Sequence, residues 1–397
     1  MRISTSAMVQ QSVASMTDKQ SSLAKLQTQM SSGQRLQTAA DDPAGWARGM
    51  AMDGTLANIE TWNSNISMAQ QRLGMEDSAL SDASNVLQSV QTLAIQATNG
   101  TQTPQSLQTI AGQLQQYYDQ LVSTANAQDG QGHYLFAGSK SATAPFAQSG
   151  GSVQYNGDSA GRLLSIGESR TIADGDDGAS VFMNNLSGNG RFVTAAASGN
   201  TGTAQVGNTQ VLNASQWDGG SYSIGFSGGN YQVKDSGGNV VASGAYSSGG
   251  SITFRGVQIT MSGTPADGDS FSVTPSTSKD VFASLRDLIN LVKSPATDAA
   301  GRARQQTAMQ GLQSELSSAF NTVTDKRSSV GTRLSALDDA SNRLADQSVS
   351  VKTALSGVRD LDMVQATTQL NLTSTSLQAL QLAYTKVQSL SLFQYLR

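Results

Sequence analysis

Apolar residues recur every seventh position in three stretches of this chain. Near the C-terminus Val330, Leu337, Leu344, Val351 and Val358 keep that interval, and Leu334 and Leu355 follow two of them by four residues. Such spacing writes an apolar seam along a helix, and a seam needs a partner. Matching spacing lies at the other end of the chain, in Ile59, Ile66, Leu73, Leu80, Leu87 and Ala94, and again in Val9, Met16, Leu23 and Met30. Packing N-terminal helices against C-terminal ones brings the two ends together. Everything between them is then an insertion.

The first stretch predicts a helix over residues 1 to 40, broken near Ser31, Ser32 and Gly33. Its seam is thin, because Gln20 and Gln27 stand where a stronger coiled coil places Leu. An isolated helix of this kind is marginal in water. The last stretch, Leu361 to Arg397, predicts an amphipathic helix with a stripe of Leu370, Leu377, Leu380, Tyr384 and Val387, widened by Leu390 and Phe393. Residues 1–42 and 356–397 are therefore expected to form a terminal coiled-coil segment that is disordered in the monomer and folds on assembly. Asp41 and Asp42 before Pro43 read as a helix start. The helix that follows is expected to reach Asn99–Gly100, and Thr103–Pro104 to open the next.

Glycine changes the picture from Gly130 on, where most of the 39 glycines fall. His133–Gly138 reads as a short strand with a turn, and Val153–Tyr155, Leu163–Ile166 and Val181–Met183 read as further short strands. From Tyr222 the alternation is clear: Tyr222, Ile224 and Phe226, then Ile252 and Phe254, Val257, Ile259 and Met261, and Phe271 and Val273. Tight glycine-bearing turns between them predict an antiparallel β domain. Helix returns at Asp280, with Phe282, Leu285, Leu288, Ile289 and Val292 on one face. The fold class is α+β: a long antiparallel helical bundle from the two terminal regions, with an inserted antiparallel β domain. The expected division is a bundle with hairpins over 43–185 and 278–355, and an outward-facing β domain over 186–277.

Composition narrows the chemistry. Charged residues are 14% of the 397, the net charge is -4, and no basic run is present, which argues against nucleic acid. There is no cysteine, hence no disulfide or thiolate metal site. No apolar run is long enough to cross a membrane, and the N-terminus lacks the apolar core of a Sec signal. The one histidine, His133, has no neighbouring triad signature. Asp174, Asp176, Asp177 and Gly178 look like the opening of a calcium loop, but the closing Glu and flanking helices are missing. No nucleotide-binding glycine motif occurs. The expectation is no enzyme, no cofactor and no metal: a chain whose function lies in its surfaces.

Several segments carry a family resemblance. LAKLQTQMSSGQRLQTAADDPAGWARG at 23–49 resembles the flagellin N-terminal signature, here through Ser32, Gly33, Arg35, Asp41, Asp42 and Pro43. Asp42–Pro43, the start MRIST and GHYLFAGSKSATAPF at 132–146 are similar to the hook-associated branch of that family. SITFRGVQITMSGTPADGDSFSVT at 251–274 resembles a β module of the same branch, and SSVGTRLSALDDA at 328–340 with VQSLSLFQYLR at 387–397 resembles the flagellin C-terminus. The resemblance implies an extracellular part of the bacterial flagellum, exported without a cleaved signal peptide. It implies a ring of about eleven copies that joins the hook to the filament. The implied partners are hook-associated protein 1, flagellin, further copies of the chain, an export chaperone on the C-terminal helix and, transiently, the filament cap. The terminal residues Val9, Met16, Leu23, Met30, Leu370, Leu377, Leu380, Tyr384, Val387, Leu390 and Phe393 would pack between subunits. Ile59, Ile66, Leu73, Leu80, Leu87, Val330, Leu337, Leu344, Val351 and Val358 would form the seam within the chain. Two other readings stay open: a flagellin-type filament subunit, and a surface adhesin on a helical stalk.

Overall fold

The computed structural model describes the backbone of residues 5–395 and the side chains of 7–387. The chain forms two compact units, one from its two ends (Met1–Ser64 and Ala340–Arg397) and one from Asn65–Asp339. In chain order come helices α1 (Thr5–Ser32), α2 (Pro43–Ala97) and α3 (Pro104–Ala125). Strands β1 (Phe146–Ser149), β2 (Ser152–Tyr155), β3 (Leu163–Gly167) and β4 (Arg170–Ala173) follow, then a π-helical turn, Ala179–Met183. Next are β5 (Asn185–Leu186), β6 (Phe192–Ala196), β7 (Gln205–Val211), β8 (Tyr222–Ser227), β9 (Asn230–Asp235) and β10 (Val240–Ala245). β11 (Ser251–Phe254), β12 (Val257–Ser262), β13 (Ser270–Pro275) and β14 (Ser278–Lys279) complete the strands. Helices α4 (Val281–Lys293), α5 (Ala299–Arg359) and α6 (Met363–Tyr395) end the chain.

The helix starts are where the capping residues put them. Asp42 Oδ1 accepts the Gly45 N–H at 2.9 Å, with Pro43 as the first helical residue. Thr103 Oγ1 accepts the Ser106 N–H at 3.2 Å ahead of Pro104. Asp280 Oδ1 accepts the Ala283 N–H at 2.6 Å. Each supplies a partner for a helix-end donor that otherwise has none.

Within each unit α2 and α5 run side by side and antiparallel. In the first, Arg359 pairs with Asp53 at 2.6 Å. In the second, Gln70 donates to Asp338 at 2.7 Å and Arg327 pairs with Asp77 at 3.1 Å, so α5 numbers fall as α2 numbers rise. Ile59, Ile66, Leu73, Leu80 and Leu87 are buried on α2, as are Val330, Leu337 and Leu344 on α5. Each buried aliphatic side chain contributes about 1.5–3 kcal/mol relative to exposure. Val351 and Val358, further along the same seven-residue spacing, are only half-buried.

The second unit has two further cores. Phe136, Phe146, Phe182 and Phe282 meet at ring distances of 5.4–6.0 Å and tie the β1–β2 hairpin and α4 to the helices. The inserted domain stacks a five-stranded antiparallel sheet, β10-β9-β8-β13-β6, on a three-stranded one, β11-β12-β7. Its core includes Tyr222, Ile224, Phe226, Val233, Ile259 and Phe271. The GTPADGDSF segment has structural work here. Buried Asp269 accepts N–H groups from Thr201 (2.8 Å), Gly202 (3.1 Å) and Ala266 (2.9 Å), and Asp267 accepts the Gly228 N–H at 2.7 Å. A Cβ at Gly263, where φ is +86°, would run into the Thr203 carbonyl, so glycine is required there.

Three expectations need correction. Val181–Met183 is a π-helical turn rather than a strand, because Asp177 caps the Ser180 N–H at 2.9 Å and Phe182 turns inward onto Phe136. His133–Gly138 is a turn with a single bridge, Gln128 to Tyr134, because Asp129 Oδ1 takes the N–H groups of Gln131 and His133 at 2.8 and 2.9 Å. The first helix ends at Ser32, at the break expected near Ser31, Ser32 and Gly33. The last helix starts at Met363 instead of Leu361, after a break between α5 and α6. The expected contacts of Leu390 and Phe393, and the MRIS start, lie outside the described residues.

Candidate assembly surfaces

α1 and α6 pack on each other in the first unit. The end of α1 meets the start of α6, so the pair is antiparallel: the Leu361 N–H donates to the Gly33 carbonyl at 2.9 Å and Gln34 bridges to Asp360. Val9, Met16, Leu23 and Met30 lie on α1, and the Leu370, Leu377, Leu380, Tyr384 and Val387 stripe lies on α6. All nine are only half-buried. The opposite side of α6 is also apolar. Val364 is 79% exposed, Leu372 58% and Leu382 71%, separated by Thr368, Thr375 and Ala379. Lys386 is the single charged residue in all of α6. A helix with apolar residues on two faces has more than one partner to find.

A knot of polar residues fixes the base of this pair, and every family-motif residue lies in it. Gly33 has φ +70°, a conformation glycine adopts without strain, and it turns the chain out of α1. Ser32 Oγ accepts from Gln34 N–H (3.2 Å) and Gln37 Nε2 (2.7 Å). Arg35 crosses to the other end of the chain: its N–H donates to the Arg359 carbonyl and its guanidinium to the Val358 carbonyl, both at 2.7 Å. Asp41 Oδ2 accepts the N–H groups of Gln37 (3.0 Å) and Thr38 (2.9 Å), while Lys25 sits 2.6 Å from Oδ1. The Lys25 contact and these N–H groups hold the Asp41 carboxyl far below its ordinary value. Asp42 and Pro43 start α2. The break between α5 and α6 has its cause here: the backbone around Arg359–Leu361 bonds to Gly33–Arg35 rather than continuing its helix, and Asp362 recaps α6 through the Val364 N–H at 2.9 Å.

Sequence reasoning passed over several members of this knot. Gln29 is buried and donates to the Arg35 carbonyl at 2.7 Å, and Asp53 anchors Arg359. Local spacing marks neither: Gln29 bonds the backbone of Arg35 just beyond the end of its own helix, and Asp53 and Arg359 meet across 306 positions.

The acidic loop at 174–178 is committed to ion pairs. Asp174 is held by Arg162 at 2.8 Å and Asp176 by Arg333, while Asp177 caps a turn. His133 stands 3.5 Å from Asp129 on a half-exposed turn. Among the described residues no group of three His, Cys, Asp or Glu side chains could hold a metal, and no helix is long and apolar enough to cross a membrane.

Residues 3–141 match the bacterial flagellin N-terminal helical region, and 314–396 the bacterial flagellin C-terminal helical region. Between them, 195–275 match the D2-like domain of flagellar hook-associated protein 1. Helical ends of this kind around an inserted sheet domain define a flagellin-type protein. Flagellar hook-associated protein 3 of Salmonella typhimurium is 34% identical over 182 residues, 46% of this chain and 57% of the relative, so little more than half of that relative's length is matched. The crystal structure of FlgL from Xanthomonas campestris is 35% identical, with a TM-score of 0.72 over 77% of this chain and 99% of that one. The flagellar junction protein FlgL from Legionella pneumophila is 31% identical, with a TM-score of 0.71 over 78% of this chain and 100% of that one. The chain belongs to the FlgL, or flagellar hook-associated protein 3, family within the flagellins.

Proposed function

We propose that this chain is a structural subunit of the bacterial flagellum, and that copies of it form the ring between the hook and the flagellin filament. One observation carries the reading: α6 is apolar on two faces and α1 covers only one of them. The uncovered face of Val364, Leu372 and Leu382 is closed by neighbouring subunits, as are the half-buried seam residues of α1 and α6. The Legionella relative is a flagellar junction protein, which supports the position in the organelle.

In this reading the ring holds about eleven copies, as the family resemblance implies. It contacts hook-associated protein 1 on one side and flagellin on the other. Residues 1–42 and 356–397 order on assembly, and the sheet domain faces outward. An export chaperone covers α6 before secretion, since so apolar a helix needs a cover in every compartment it passes. The protein is extracellular, reached without a cleaved signal peptide, and meets the filament cap only during growth.

The flagellin matches at both ends also fit a filament subunit, whereas the hook-associated D2-like match at 195–275 favours the junction. Deleting the gene separates the two. The junction reading expects bare hooks by electron microscopy and unpolymerised flagellin in the medium. Intact filaments on a full set of hooks would overturn it.

A further inference from the structure

Glu76 is a buried carboxyl group with no cation of its own. It lies on α2 in the second unit and is 1% exposed. The loop Asp174–Gly178 closes over it. The Asp176 N–H donates to Glu76 Oε1 at 3.0 Å, and a Cβ added to Gly175 would stand 3.4 Å from Oε2.

The cations nearby pair with other carboxylates, while the Nε atoms of Arg72 and Arg333 have no hydrogen-bond partner among the described residues. From α5, Arg333 pairs with Asp176 and Lys326 lies 3.5 Å from the other Asp176 oxygen and 3.0 Å from Ser180 Oγ. From α2, Arg72 faces Asp129 at 3.6 Å and Asp174 at 3.8 Å, and donates to the carbonyls of Tyr134 and Leu135. Arg162, just before β3, closes on Asp174. The other titratable neighbours are Asp177, which caps Ser180, Asp77, which pairs with Arg327, and His133, which faces Asp129. Among the described residues no ion pair includes Glu76.

An ionised Glu76 meets the Asp176 charge, which Arg333, itself paired with Asp176, offsets only in part; a protonated Glu76 donates a hydrogen bond to Asp176. We propose that Glu76 is a proton-dependent latch. Protonated, it bonds Asp176 and holds the loop Asp174–Gly178, with the β3–β4 hairpin, against α2. Ionised, it repels Asp176 and lets loop and hairpin loosen.

Burial, and then the Asp176 charge, push Glu76 up to about 8, with Arg333 acting the other way. An acid raised in the folded state adds stability that is complete below its ordinary value of 4.5 and is lost as pH rises through about 8.

The chain has four glutamates, Glu60, Glu76, Glu168 and Glu315, so carbon-13 NMR of the full protein labelled at glutamate Cδ reads the latch directly. Glu60→Gln, Glu168→Gln and Glu315→Gln assign three signals, and the fourth is Glu76 whether or not its own variant folds. The proposal expects that signal to titrate near pH 8. Hydrogen exchange over 163–178, corrected for intrinsic rate, should rise about tenfold from pH 7 to 9 in the wild type. It should stay level in Glu76→Gln, which keeps a donor and cannot ionise. A Glu76 signal that titrates below pH 6 overturns the proposal. So does exchange that is unchanged while Glu76 ionises, or that rises equally in Glu76→Gln.

Discussion

The bundle seam and the terminal pair are written in the same seven-residue spacing, yet they finish differently. Leu73, Leu80, Leu87 and Leu337 are 0% exposed. Met16, Leu23, Leu377 and Leu380 occupy equivalent positions in their own seam and stay half-buried. The distinction lies in what covers each helix. α2 is closed by α5 and, in its second half, by hairpins and loops that carry ion pairs. α1 and α6 have only each other. Spacing reveals that a seam exists; the apolar residues left over on the far side reveal how many partners the helix needs.

That contrast can be broken by substitution. The largest effect on the monomer is expected at the bundle seam, where Leu80→Ala should lower stability by about 2–5 kcal/mol by thermal or denaturant unfolding, because a cavity replaces a fully buried side chain. A loss below about 1 kcal/mol there would remove the contrast. Asp42→Ala, which strips the cap of α2, should cost about 1 kcal/mol. Acid should act on the knot through Asp41. Its carboxyl is lowered by Lys25 and by two N–H groups, so its contribution is present above the ordinary value of 3.8 and lost as pH falls through the folded value. Asp41→Asn should flatten that acid limb of the unfolding curve. The smallest effect on the monomer should come from Leu380→Asp, within about 0.5 kcal/mol of wild type, since the residue is only half covered in the chain. The same change should abolish assembly, because a charge would then be buried between subunits. A large drop in monomer Tm for Leu380→Asp would show that the terminal pair is a finished core.

Much of this was legible in the residue pattern. The seams, the caps at Asp42, Thr103 and Asp280 and the alternating strands from Tyr222 onward all depend on local physics that repeats along the chain. The failures have a common origin. Val181–Met183 has strand-like residues, but Phe182 is claimed by an aromatic core assembled from Phe136, Phe146 and Phe282. The break at Asp360–Asp362 depends on Gly33 and Arg35, at the other end of the sequence. The clamp around Glu76 draws on α2, α5 and two loops, and its acidic loop alone resembles a calcium site. Where long-range partners decide a segment, its own pattern is silent.

The most direct test of the central claim is hydrogen exchange measured residue by residue on the purified monomer and on the same chain incorporated into flagella. The account predicts rapid exchange of 5–32 and 363–387 in the monomer beside a slow bundle seam, matched by protease loss of both ends, with strong protection of both helices only after assembly. Terminal helices that exchange as slowly as the seam in the monomer, and gain nothing on assembly, would contradict it.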